Sequence, residues 1–306
     1  MINYYQRSIK DAQIKDLKDY RIGSLVLVSS PSEEELDNLS EKFKLERDLL
    51  SDALDPYEVP RLEVEKNAVY AFARIPSDEG RRTSTLPLLI IVSDDFLMLV
   101  AKKDLDFLFK DLRKRSDFFT TQRSKSFLQI FGEIQADYSQ MLTKINKKIN
   151  YFSLNMDQIG EKDIAAFINF EIVLNEFLSA LLPIKYILGN TSSGKTLKFY
   201  HDDEEILEDL RLHNDQLIER SKRNLTNSIN LRQAYEAIST NRLNRTMKLL
   251  TAMTVVLALP TMVTSFYGMN VGLPFANSPY VFWGIMAVIL GLVGILFLVF
   301  RGRKLL

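Results

Sequence analysis

The stretch Met247-Lys-Leu-Leu250-Thr-Ala-Met-Thr254-Val-Val-Leu-Ala258-Leu-Pro260-Thr-Met-Val-Thr264-Ser265-Phe266, followed at once by Tyr267-Gly268-Met269-Asn270, decides how this chain is read. It is predominantly apolar over about the 20 residues that a helix needs to cross bilayer hydrocarbon. A second apolar run, Val281 to Phe300, follows an uncharged connector. The two runs are read as transmembrane helices over 246–266 and 281–300, joined by an outer loop over 267–280.

The first span orders its small and polar residues. At about 100° per residue, Met247, Leu250, Thr251, Thr254, Ala258, Thr261 and Ser265 fall within roughly one third of the helix circumference. Hydroxyls turned toward lipid lack partners, so the stripe suits a partner helix or a water-filled path. One helix cannot enclose such a path; a ring of copies can. The second span has neither Ser nor Thr and suits lipid contact. Its Gly284, Gly291 and Gly294 permit close helix approach, and Tyr280, Phe282 and Trp283 mark one interface.

Charge sets the orientation. No acidic residue follows Glu236, whereas Arg242, Arg245 and Lys248 lead into the first span and Arg301, Arg303 and Lys304 follow the second. By the positive-inside rule both termini, including the basic tail 301–306, are cytoplasmic and the connector is outside. The polar start at Met1 reads as no secretory leader, which leaves the first domain in the cytoplasm. Lys+Arg and Asp+Glu balance at 39 each, so net charge does not point to nucleic acid. Without cysteine there is neither a disulfide nor a thiolate metal site, and only His201 and His213 offer imidazole.

Residues 1–120 alternate short apolar runs with polar helical ones, which predicts an α/β domain. Strands are expected at Ser24–Ser29, Arg61–Glu65, Ala68–Arg74, Leu86–Val92 and Phe96–Ala101, and helices from Pro31, Glu46 and Leu105. Asn67 and Asp94-Asp95 suit tight hairpin turns, so the sheet is read as mixed. Over 121–245 the period lengthens. Phe127 through Phe152 and Ile164 through Leu181 step at three or four, as two helices of a bundle do.

Between Lys195 and Leu259 there is neither Gly nor Pro, and a spacing of three and four runs from Ile206 into the first span. A single stalk helix of about 60 residues is expected, roughly 90 Å long. Ser221, Asn224 and Ser228 interrupt its apolar seam. Such a seam either fixes register in a coiled coil or wets an axial cavity that extends a pore; the second reading is preferred. The fold class is therefore an α+β membrane protein, with an α/β cytoplasmic domain, a helical bundle and a long stalk that becomes the first of two C-terminal transmembrane helices.

Gly189-Asn-Thr-Ser-Ser-Gly194-Lys195-Thr196 matches the phosphate-loop pattern letter for letter. No apolar strand ending in Asp follows it, so it is read as a polar loop between helices, with no nucleotide bound. Asp202-Asp203-Glu204-Glu205 suits the start of a helix against its dipole, and His213 a packed position. At the far end of the first span, Gly268 and Asn270 admit two readings. One is a helix C-cap. In the other, Gly268 lets the backbone turn sharply and present its carbonyls, and Asn270 adds a neutral amide oxygen.

A penultimate span ending in Tyr267-Gly268-Met269-Asn270, a short outer loop, a final span and a basic tail resemble the CorA family of divalent-cation channels. The similarity continues upstream through Asn244-Arg-Thr-Met247-Lys-Leu-Leu250-Thr and, more loosely, along most of the chain. The resemblance implies a homopentamer in the cell membrane that passes Mg2+ and Co2+ inward down the membrane potential, without enzymatic chemistry or an organic cofactor. It makes Gly268, Met269 and Asn270 a selectivity filter and Met247 and Leu250 a hydrophobic gate. The family's Met-Pro-Leu-Thr segment differs here, as Ala258-Leu-Pro260-Thr261. It also implies that Asp52, in Ser51-Asp-Ala-Leu-Asp55, and Asp209 meet between neighbouring subunits and hold regulatory Mg2+. The outer loop lacks the acidic residue that many relatives place after the triplet, which keeps a Zn2+ transporter as the alternative. A membrane-tethered coiled-coil sensor that moves no ions is the alternative from a different class.

Overall fold

A computed structural model describes residues 1–65, 68–78, 83–156, 159–191, 197, 199–272 and 280–302. These form two compact units, Met1–Leu231 and Arg232–Leu306.

The first unit is built on a seven-stranded sheet. Its strands are β1 (Ile2–Gln6), β2 (Lys15–Leu17), β3 (Ser24–Ser29), β4 (Arg61–Glu65), β5 (Ala68–Asp78), β6 (Thr83–Ser93) and β7 (Phe96–Ala101). Their order is β2-β1-β3-β7-β6-β5-β4. Among the described strands only β3 and β7 pair in parallel, so the sheet is mixed as expected. Asp94-Asp95 is the two-residue link between β6 and β7; Asn67 lies outside the described residues. The strands β1 and β2 escaped the sequence reading because β1 is half-buried without alternation and β2 has three residues, mostly exposed.

The central strands are apolar on both faces because both faces are covered. Val26 and Val28 of β3, Met98 and Val100 of β7, Leu89 and Ile91 of β6 and Tyr70 and Phe72 of β5 share one face by register. They bury against α1 (Glu33–Phe43) and α2 (Arg47–Asp52) through Leu36, Leu39, Leu49 and Leu50. Ser32 and Glu35 close a reciprocal capping box at the start of α1, and Lys44 ends it in the left-handed conformation.

The helices α4 (Arg123–Leu154) and α5 (Glu161–Thr191) touch the sheet, and α3 (Asp106–Lys114) packs on α4. The expected apolar ladder is the buried core of this bundle: Phe127, Phe131, Ile134, Tyr138 and Leu142 on α4, with Phe167, Phe177, Leu181 and Leu188 on α5. The Tyr138 hydroxyl donates to the Arg74 carbonyl at 2.9 Å and ties α4 to β5.

One helix, α6 (His201–Tyr267), has 67 residues and belongs to both units. Its part within the first unit corrects the reading of the polar seam. Ser221, Asn224 and Ser228 are buried inside the bundle. The Asn224 amide donates to the Leu142 carbonyl at 3.4 Å, the Ser228 hydroxyl to Phe167 at 3.3 Å and the Ser221 hydroxyl to Leu217 at 2.9 Å. A hydrated axial extension requires these groups to face water; they face α4, α5 and their own helix turn instead.

The second unit contains the rest of α6 and α7 (Val281–Gly302). Among the described residues three helices are long and apolar enough to cross a membrane by length and composition: α5, α6 and α7. The first of them carries part of the bundle core, as its sequence periodicity anticipated.

Candidate functional site

The membrane end of α6 has two unlike faces. Ala252 is 2 % exposed, and Val256, Leu259 and Val263, on the same side, are partly buried. Val263 and Tyr267 line an open groove with Tyr280, Val281, Gly284, Ile285 and Val288. The opposite side is the stripe. Met247, Leu250, Thr251, Thr254, Ala258, Thr261 and Ser265 are all exposed, so α7 leaves them uncovered.

Partly buried positions on α7 step as Val281, Ile285, Ile289, Leu292 and Leu296, a single apolar seam. Gly291 and Gly294 lie off that seam, Gly284 only borders the groove, and all three are exposed, with nothing within 4 Å of the space a methyl would fill. The expectation that these glycines allow close helix approach is therefore not met within the chain. The seam is built of branched aliphatic side chains instead.

The stripe's threonines have a defined hydrogen-bond state. Thr251 donates to the carbonyl of Met247 at 2.9 Å, Thr254 to Leu250 at 2.9 Å and Thr261 to Leu257 at 2.8 Å. Each hydroxyl hydrogen is thus committed to the helix backbone, and each oxygen turns its lone pairs outward. The stripe offers acceptors.

At Gly268 the helix stops. Its N–H donates to the carbonyls of Thr264 at 3.0 Å and Ser265 at 3.2 Å, and Met269 donates to Phe266 at 3.3 Å. Among the described residues, Gly23 is the only glycine with positive φ. A methyl at Gly268 would meet backbone oxygens at 3.5 and 3.6 Å, ordinary contact. The chain turns at Gly268 and bends through Met269 and Asn270, but without a backbone angle that itself requires glycine. Asn270 is exposed beyond the helix end, and no hydrogen bond to its amide occurs among the described residues. Residues 273–279 and 303–306, and with them the rest of the outer loop and Arg303 and Lys304, lie outside the described residues. Arg242, Arg245, Lys248 and Arg301 are exposed.

Two acids in the first unit were also singled out. Asp52 ends α2, and its Oδ2 accepts from Nη2 of Arg61 at 2.7 Å. Asp209 is exposed on α6. Among the described residues no group of three or more acidic or histidine side chains gathers as a metal site. The ring of acids around Arg61 went unread in the sequence, although Glu58, Arg61 and Glu63 all lie in one short segment after Asp52.

His213 is half-buried, and burial followed by Arg220 lowers its pKa, as a packed histidine requires. Asp203 is buried and accepts from the Tyr200 N–H at 3.1 Å, a capping bond at the helix start where the acidic run was expected to oppose the dipole. Tyr186, Ile187 and Leu188, which a phosphate loop needs as a strand, are helical in α5, as are Gly189, Asn190 and Thr191. Ser192 to Thr196 lie outside the described residues.

An α/β domain, a helical bundle and apolar C-terminal helices, one of them continuous with a long helix of the first unit, define a membrane protein with a large domain outside the bilayer. The chain belongs to the family described as CorA-like Mg2+ transporter protein, whose model matches residues 26–303. It is 28 % identical over 303 residues to the cobalt/magnesium transport protein CorA of Methanocaldococcus jannaschii, covering 93 % of this chain and 91 % of that one. The complete structure of the CorA magnesium transporter from the same organism superposes with a TM-score of 0.84 at 24 % identity, over 98 % of this chain and 97 % of that one. The structure of the full-length CmaX protein follows at 0.74 and 18 %, over 99 % and 97 %.

Proposed function

We propose that the chain is a divalent-cation transporter that carries Mg2+, and Co2+ as a second ion, through a path enclosed by copies of itself. The uncovered stripe on α6 carries this reading. A hydrated dication turns the hydrogens of its inner waters outward, so a compatible wall must accept hydrogen bonds. Thr251, Thr254 and Thr261 present acceptor oxygens, and Asn270 adds an uncharged one beyond the helix end. Magnesium sheds water reluctantly, so neutral oxygens around its shell suit it better than a tight carboxylate cage.

In this reading five copies surround the axis, with Gly268, Met269 and Asn270 as the outer filter. Glycine at 268 then meets a crowding between copies that a single chain does not have. Ala258 and Ser265 line the path between, and Met247 and Leu250 form apolar rings that close it by excluding water. Residues 1–120 and 121–245 and both termini are cytoplasmic, the spans are 246–266 and 281–300 of a cell-membrane protein, and 267–280 is external. The inside-negative potential supplies about 4.6 kcal/mol for a double charge at 100 mV. Asp52 and the Asp209 of a neighbouring copy hold regulatory Mg2+ when the cytoplasmic ion is plentiful. Its departure restores like-charge repulsion and loosens the interface. No covalent step and no nucleotide enters.

The absence of acids from the outer loop leaves a Zn2+ transporter as the second reading. Flux into liposomes of purified protein, with Mg2+, Co2+ and Zn2+ in competition, separates the two. Mg2+ is expected to enter and to be lost at least tenfold in Asn270→Ala. Undiminished entry in that variant rejects the filter.

A further inference from the structure

The candidate regulatory carboxylate of Asp52 has an internal counter-ion. Arg61, the first residue of β4, donates from Nη2 to Asp52 at 2.7 Å, from Nη1 to Glu58 and from Nε to Glu63. Its guanidinium carbon also lies 4.1 Å from the centre of the Phe72 ring. One cation thus serves three carboxylates, a group of net charge −2 from three negative and one positive side chains. Asp52 is its outermost member, with a side chain 41 % exposed against 15 % for Glu58 and 34 % for Glu63. Its Oδ1 accepts no hydrogen bond among the described residues.

We propose that Arg61 sets the divalent-cation threshold at Asp52. This rests on the reading of Asp52 as a regulatory ligand. An ion arriving at Oδ1 meets a carboxylate already partly compensated by a guanidinium just behind it. That guanidinium cannot withdraw, because Glu58, Glu63 and the Phe72 ring hold it in place. Its repulsion of a double charge therefore persists in the bound state, and the ion level needed for occupancy rises. Arg61 keeps the regulatory site empty until the cytoplasmic ion is plentiful.

The test is the thermal midpoint of the detergent-solubilised full-length protein, titrated with Mg2+. Arg61→Gln is expected to reach half-maximal stabilisation at roughly tenfold lower Mg2+. Arg61→Lys, which keeps the charge, is expected to stay within about threefold of the parent, and Arg61→Gln is expected to have no effect on an Asp52→Asn background. An unchanged or raised Mg2+ requirement in Arg61→Gln, while Asp52→Asn still removes the response, overturns the role of Arg61 and leaves the regulatory reading standing. A full response in Asp52→Asn overturns that reading itself, and this inference with it. Should Arg61→Gln not fold, Arg61→Met serves in its place: it removes the charge while keeping an apolar stem against the Phe72 ring and is expected to lower the Mg2+ requirement, and no fall overturns the proposal.

Discussion

Three threonine hydrogens bonded back to their own helix determine what α6 can offer an ion, because they make its stripe a row of acceptors. Thr261→Val keeps the shape and removes the acceptor, and is expected to cut Mg2+ flux roughly three- to tenfold, the loss of one hydrogen bond's worth of about 1 kcal/mol. Thr261→Ser is expected to retain flux in the same liposome assay. Away from the membrane, Asp137 on α4 is strained electrostatically. Burial, then the charges of Asp111 and Glu133, push its carboxyl up to about 6. Between about pH 4 and 6 the folded group holds a proton that the unfolded one has released, so stability falls as pH rises through that window. Asp137→Asn is expected to raise the thermal midpoint at pH 7.5, with the gain closing toward pH 4. Arg7 is different again. Its buried guanidinium donates to the carbonyls of Asp11, Ala12, Arg115, Ser116 and Phe118. Arg7→Met leaves those oxygens with fewer partners and is expected to cost on the order of 3 kcal/mol, read as a drop of several degrees in melting temperature. Neither residue was legible in the sequence. Both draw their environment from residues that only folding brings together, Asp111 across a helix pair and Arg115 to Phe118 from more than a hundred positions away.

Among elements, periodicity was the reliable signal. The step of three and four found α4, α5 and α6, and the β-branched runs found β3 to β7, because burial on one face or both leaves that trace directly. Polar residues on a buried face leave no such trace. In sequence Ser221, Asn224 and Ser228 favour a wet axis, although any carbonyl or water satisfies them; the carbonyls of Leu142 and Phe167 decide for the bundle. Asn224→Leu is accordingly expected to change melting temperature while leaving Mg2+ flux per folded molecule within about twofold. A large change in flux without a change in melting behaviour would return the seam to the axis. The same limit applies to Gly268. Its place in Tyr-Gly-Met-Asn was legible, and the chain does turn there and bend through Met269 and Asn270, but without a positive φ at Gly268, so the helix end tolerates a side chain.

At the scale of the whole molecule, the proposed transport path is one that a single chain does not enclose. The chain's α7 packs the side of α6 that bears Val256 and Val263 and leaves Met247, Leu250, Thr251, Thr254, Ala258, Thr261 and Ser265 on the other side exposed. The fold of the first unit was readable from pattern because its core closes within one chain. The candidate site was readable only in its residues, because in the proposed function further copies enclose it. The chain has no cysteine, so single cysteines report on that enclosure without background. The most direct measurement places Cys at Thr254, Thr261, Val256 and Val263 in turn and follows Mg2+ flux in liposomes during exposure to a charged, water-soluble thiol reagent. Block at Thr254→Cys and Thr261→Cys, with Val256→Cys and Val263→Cys indifferent, is the expected result. Block at the valine positions with the threonine positions indifferent, or no block at any of the four, would contradict a stripe that faces water.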